Sequence, residues 1–146
     1  MGRKHESWVS DGIARYEKRL KKPFDLSWQF LPHSAREGDA ARAEESERLL
    51  AKTTDSRDYV ILLDERGRSI DSPAFSRTLG AALDASRPVS FLIGGAYGVD
   101  DTVHRRADFV LSLSKLVFPH QLVRLILAEQ VYRAQEIAGR RSYHHE

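Results

Sequence analysis

The chain has 146 residues, of which 41% are hydrophobic and 30% charged, with a formal net charge of +2 and no cysteine. That length suits one compact domain, able to bury about 68–70% of its unfolded surface without disulfides or a structural metal. The lack of cysteine excludes thiolate metal sites and cysteine nucleophiles and fits a reducing cytoplasm, while no apolar run reaches the roughly 20 residues of a membrane span.

The opening Met1-Gly2-Arg3-Lys4-His5-Glu6 has no apolar stretch behind it and does not read as a signal peptide. Ile13, Tyr16, Glu17 and Leu20 recur at helical spacing, which predicts a helix over Asp11 to Leu20. Leu26, Trp28 and Phe30 alternate with Ser27, Gln29 and Leu31, the period of a strand. The charged, alanine-rich segment from Arg36 to Lys52 reads as an exposed helix with a solvated face. Tyr59-Val60-Ile61-Leu62-Leu63 is a short apolar run ending at Asp64, as expected of a buried parallel strand, and Gly67 marks a turn after it.

Ser72 and Pro73 suit the N-cap and first position of a helix that carries Phe75, Leu79 and Leu83 on one face. Pro88 interrupts the chain, and Val89-Ser90-Phe91-Leu92-Ile93 is the next buried strand, running into Gly94-Gly95-Ala96-Tyr97-Gly98. A short helix from Asp101 turns Val103 and Ala107 inward, and Phe109-Val110-Leu111 is a further strand. From Gln121, the residues Val123, Leu127, Val131, Ala134 and Ala138 recur at helical steps until Gly139. This last helix has a second apolar face in Leu122, Leu125 and Ile126, which predicts a partner and hence a two-fold homodimer. Strands alternating with helices indicate an α/β fold with a mainly parallel sheet between helices.

Ligands of such sheets bind outside the carboxyl ends of the strands. Gly94, Gly95 and Gly98 permit close backbone approach to a ligand, and equally suit a tight strand-to-helix turn. Their spacing matches neither the P-loop nor the dinucleotide fingerprint. Leu111 to His120 is apolar for a loop, which suits either an adenine held between side chains and read by backbone amides, or a buried connector. No Gly-x-Ser-x-Gly elbow is present, and the six scattered histidines give no metal-ligand spacing. Arg124 and Arg133 on the last helix, with Arg140, Arg141, His144 and His145 beyond it, gather positive charge for phosphate contact, or form an ordinary solvated chain end. Tyr143 among them offers a ring to stack on a base.

Phe91 to Gly98, Leu111 to Ser114, Phe118-Pro119-His120, Leu122-Val123-Arg124, Leu127 to Gln130, Tyr132-Arg133-Ala134 and Tyr143 to Glu146 stand in the order and spacing of the RlmH family of SPOUT methyltransferases. The chain resembles that family from about Tyr59 to its end, and Asp11 to Tyr16 fits the family's first helix. The resemblance implies a SPOUT α/β fold with a C-terminal trefoil knot, S-adenosylmethionine bound in a bent form within the knot, and a homodimer. It also implies a cytoplasmic enzyme that methylates N3 of a pseudouridine in 23S rRNA on the assembled 70S ribosome, with no metal and no membrane.

Carried over by motif, the cofactor site comprises Leu63, Gly94, Gly95, Leu113, Ser114, Lys115, Leu116, Val117 and Phe118. Arg124, Tyr143, His144 and Glu146 become the catalytic candidates. Two features depart from the family. Its first apolar strand has no counterpart before Gly2-Arg3-Lys4-His5-Glu6, so a sheet edge or core face is expected to be exposed. His145 stands where an arginine is common in the family, which weakens a phosphate contact near neutral pH. Two other readings remain open. One is a catalytically impaired ribosome-binding or RNA-binding protein of the same fold. The other, ranked last, is a small-nucleotide enzyme using the Gly94-Gly95 turn, with Lys115 as its only nearby cation.

Overall fold

A computed structural model describes residues 1–53 and 57–140. Its elements, in chain order, are α1 (Ser7–Glu17), α2 (Gly38–Leu50), β1 (Tyr59–Arg68), α3 (Ser72–Asp84), β2 (Val89–Ile93), α4 (Asp101–Arg106), β3 (Phe109–Leu111) and α5 (His120–Ala138). They fall into two compact units.

The first unit comprises Met1–Lys4, Gln29–Ser69 and Ser86–Val117. It holds a three-stranded sheet in the order β2-β1-β3, parallel throughout, as the alternation of strands and helices predicts. Val60 and Leu62 point to one face of the central strand and form a core with Leu49, Leu92, Val99 and Val103. Ile61, between them, is equally inaccessible, which explains why the strand reads as a continuous apolar run. The Asp108 carboxylate accepts from Val60 N (2.8 Å), and Asp108 N donates to Val60 O (2.9 Å), so this residue sets the register of β3 against β1. Arg87 donates to the carbonyls of Arg57 and Asp58 and lies over the Tyr59 ring at 5.3 Å, holding the entry to β1.

The strand β1 runs past Gly67, where the sequence predicted a turn. Arg68 pairs with Leu111 after a break in register. A Cβ at Gly67 would lie 2.5 Å from Val110 O, so this glycine serves close strand approach and not reversal of the chain. The helix α2 also differs from expectation. Ala41, Glu45, Ser46 and Leu49 are buried along one stripe facing α4, so its charge-rich sequence conceals a packed face. Ser46 Oγ accepts from Asp100 N (3.0 Å), and Asp100 in turn caps α4 by accepting from Thr102 N and Val103 N.

The second unit comprises His5–Trp28, Ile70–Ala85 and the chain from Phe118 onward. Its centre is α5, which packs against both α1 and α3. Val9, Ile13 and Ala128 are its buried contact, flanked by Leu125, and a Cβ at Gly12 would lie 2.8 Å from Leu125 Cδ1. On the other side, Ser76 donates to Ala134 O and Ser72 to Gln130 Oε1, both at 2.8 Å. Leu125, from the second apolar face of α5, thus packs on the α1 cluster, while Leu122 and Ile126 of that face are half-buried. Ser72 is the first residue of α3 and not its cap. Asp71 caps the helix, its carboxylate accepting from Ala74 N at 2.7 Å.

The predicted strand over Leu26 to Phe30 does not form. Residues 24, 26 and 28 are indeed less exposed than 25 and 27, but no ladder accompanies them. Leu26 and Trp28 pack on the α1–α5 cluster, Trp28 Nε1 donates to Glu17 at 2.7 Å, and the His5 ring meets Trp28 edge-on at 4.9 Å. Alternating side chains here coat helices without backbone pairing. Similarly, α1 begins earlier and stops earlier than predicted, because Arg19 N and Leu20 N turn back to Tyr16 O and Glu17 O.

Candidate active site

The register of the sheet places Leu63 of β1 beside Ile93 of β2 and Leu111 of β3, so all three strands end their parallel run at one level. That edge is where an open α/β sheet binds ligands. Two loops leave it. After β2, Gly95 O accepts from Gly98 N at 3.0 Å in a tight turn, with Gly98 at φ +72°. A Cβ at Gly94 would approach Val99 Cγ1 to 3.0 Å and the Gly98 carbonyl carbon to 3.2 Å, so a side chain at this position would crowd the turn.

After β3, Ser112 is buried and donates to Ser114 O at 2.9 Å, while Ser114 Oγ accepts from Leu116 N at 3.0 Å. These bonds fix a loop that presents Leu116 and Val117 to solvent, 71% and 82% exposed. Two large aliphatic side chains held outward at the ligand-binding edge of a sheet form an apolar surface suited to a flat ring.

Two charged groups lie beside these loops. Asp64, which follows Leu63, is bound by Arg66 through Nη2 (2.8 Å) and Nε (3.0 Å), with His104 Nε2 at 3.2 Å. Hydrogen bonds from the Arg66 side chain hold the Asp64 carboxyl below its ordinary value, outweighing burial, with the Arg66 backbone and the nearby charges adding to the effect. Glu45 projects from α2, 3% exposed. Its Oε1 accepts from Ser34 N (2.9 Å) and meets His33 Nδ1 (3.1 Å). Its Oε2 lies against the Gly94-Gly95 turn, where a Cβ on Gly95 would stand 2.0 Å away.

Compared with known proteins, residues 1–144 match the model of a predicted SPOUT methyltransferase family. The chain belongs to the SPOUT methyltransferase family. It is 40% identical to the ribosomal RNA large subunit methyltransferase H of Geobacter sulfurreducens, over 99% of this chain and 95% of that protein. The protein of the same name from Gluconacetobacter diazotrophicus is 43% identical over 99% of this chain and 93% of its own length. That of Streptococcus thermophilus (strain CNRZ 1066) is 40% identical over 99% and 95%.

Of the cofactor residues expected in this SPOUT chain, Leu63, Gly94, Gly95, Leu113, Ser114, Lys115, Leu116 and Val117 all lie in the first unit, at or just beyond the level strand ends. Phe118 begins the second unit. Arg124 sits on α5 with only 4% exposure, and burial lowers its guanidinium pKa. It is thus not the open phosphate ligand that its position in the sequence suggests. Arg133 is engaged by Glu129 at 2.7 Å and is likewise no open cation. Arg140 is exposed, whereas Arg141, Tyr143, His144, His145 and Glu146 lie outside the described residues.

Sequence reasoning missed Glu45 and the Asp64–Arg66–His104 cluster. For Glu45 a signal existed: it stands four residues after Ala41 and four before Leu49, hence on their buried stripe. Among the described residues no group of side chains could hold a metal ion, and no helix is long and apolar enough to cross a membrane.

Proposed function

We propose that this protein is an S-adenosylmethionine-dependent methyltransferase that methylates N3 of a pseudouridine in 23S rRNA on the assembled 70S ribosome, acting in the cytoplasm as a homodimer. The observation that carries this reading is the level strand edge bearing a glycine turn and the exposed apolar loop, within a chain similar over nearly its whole length to proteins named ribosomal RNA large subunit methyltransferase H. Because one family model spans residues 1–144, both compact units are read as one methyltransferase domain, with the family's trefoil knot in its C-terminal half.

The residues present fit the cofactor. Leu116 and Val117 offer an apolar surface beyond the strand ends, and Glu45 Oε2, lying against the Gly94-Gly95 turn, is buried without a hydrogen-bond partner. Leu63, Gly94, Gly95 and Leu113 through Phe118 would hold it, with side chains gripping the adenine and loop amides reading its edge. When bound, it supplies a sulfonium methyl group to a nucleophilic nitrogen; the sulfur–carbon bond breaks, the nitrogen–carbon bond forms and N3 loses its proton. The protein's part is to orient, to exclude water and to accept that proton. His144 and Glu146 are the proposed acceptors, and Tyr143 is proposed to lie beside the target base. Arg124 would act from inside the fold, since its burial rules out a contact made at the open surface.

The test is transfer of labelled methyl from S-adenosylmethionine to 70S ribosomes lacking the modification, compared with free 23S rRNA. Label on intact ribosomes and little on naked RNA is expected. Stable ribosome binding without transfer would replace this reading with that of a binding protein, and sedimentation as a monomer at tens of micromolar would remove the dimer.

A further inference from the structure

Buried polar atoms are nearly always satisfied, and a carboxylate oxygen without a partner is among the costliest exceptions. Glu45 Oε2 is such an exception. The carboxylate is fixed in place, because Oε1 is tied to Ser34 N (2.9 Å) and His33 Nδ1 (3.1 Å) and its helix is anchored by buried Ala41, Ser46 and Leu49. The free oxygen is therefore held against the backbone of Gly95, where even a methyl group would collide with it. A negative acceptor, solvent-excluded and already half-satisfied, is prepared for one more donor, and a cation suits it best. The site on the other side of this glycine turn is proposed to take a ligand that carries such a group.

Resting on the methyltransferase reading, we propose that Glu45 is a cofactor-binding residue: its Oε2 accepts a hydrogen bond from the α-ammonium of the amino-acid portion of S-adenosylmethionine, the Gly94-Gly95 turn shifting to admit it. The absence of a side chain at Gly95 is what lets Oε2 lie directly against the turn. The sulfonium has no hydrogen to donate, and the ribose hydroxyls are neutral, so the ammonium is the one cationic donor available. The interaction would orient the amino-acid end and, through it, the methyl group.

Calorimetry with three ligands separates this from a structural role. S-adenosylmethionine and S-adenosylhomocysteine both carry the ammonium, whereas 5′-methylthioadenosine keeps the adenine, ribose and sulfur and lacks it. In the full chain, Glu45→Gln preserves the size of the side chain and an oxygen for Ser34 N and His33. It should weaken the first two ligands at least tenfold and leave 5′-methylthioadenosine within about twofold, a loss of roughly 1.4 kcal/mol confined to the ammonium-bearing pair. Glu45→Asp, which keeps the charge but withdraws it, should weaken the same two ligands selectively. Equal loss for all three ligands, or no loss for any, overturns the proposal. If the unsubstituted protein binds none of the three, the methyltransferase reading fails first, and this inference fails with it.

Discussion

Replacing Gly95 by alanine should be among the most destabilising single-methyl additions in this protein, for a reason visible in one distance. The added Cβ would stand 2.0 Å from Glu45 Oε2 and 2.9 Å from its Cδ. Relief requires the carboxylate to move, yet Oε1 is held by Ser34 N and His33 Nδ1. Overpacking alone costs about 1–3 kcal/mol. Disturbing a hydrogen bond to a charged group adds about 1.5–3 kcal/mol, so a loss of roughly 2.5–6 kcal/mol is expected. At about 2–4 °C per kcal/mol for a chain near this length, the thermal midpoint should fall by ~5–24 °C. Urea unfolding followed by far-ultraviolet circular dichroism measures the loss. The decisive form is a double-mutant cycle with Glu45→Ala. Glu45→Ala is itself destabilising, but it removes the atom that Gly95→Ala strikes, so the pair should be coupled by at least ~1.5 kcal/mol. Additivity within ~0.5 kcal/mol would show that the collision does not govern this turn.

Three further outcomes follow from the same reasoning. Asp71→Ala removes the carboxylate that accepts from Ala74 N and should cost about 1 kcal/mol in urea titration, whereas Asp71→Asn should cost little. Leu116→Ser combined with Val117→Ser changes two solvent-facing side chains and should leave stability within about 0.5 kcal/mol, while binding of S-adenosylhomocysteine in calorimetry falls sharply. Asp64 has a folded pKa lowered by Arg66, so its contribution to stability is present above the ordinary carboxylate value and is lost as pH falls through the lowered one. Melting curves of Asp64→Asn and the unsubstituted protein should therefore differ at pH 7 and converge as the pH drops below ~4.

The parallel sheet was legible because its strands are short apolar runs bounded by Asp, Pro and Gly, and the structure places β2 and β3 where those runs lie. The family-marking motifs around Gly94 and Leu113 were legible for a similar reason, since backbone geometry at a strand end constrains residue type. Less visible were features that depend on what a segment meets. Leu26, Trp28 and Phe30 carry the strand period, but local alternation cannot say whether a second strand or a helix lies alongside, and here Leu26 and Trp28 meet helices. The charge of α2 was read as solvated because composition was weighed without phase; Glu45 is buried while its neighbour Glu44 is partly exposed. Arg124 was misjudged in the same direction, taken as a surface cation when its position on α5 turns it inward.

These misplacements share a cause that bears on the site itself. Charge on an exposed residue acts weakly through water, whereas the same charge inside the fold acts strongly on anything brought near it. The residues whose charge can matter most to a bound ligand are thus the ones that composition assigns to solvent. At the strand edge the division is plain. The apolar loop meets solvent through Leu116 and Val117 and can change with little effect on folding, while Glu45 is locked between α2 and Gly95, so its chemistry and the stability of the turn are joined. A ligand that satisfies Oε2 would therefore stabilise the folded chain as well as be held by it. Thermal stabilisation by S-adenosylhomocysteine should accordingly shrink in Glu45→Gln, while that produced by 5′-methylthioadenosine is retained.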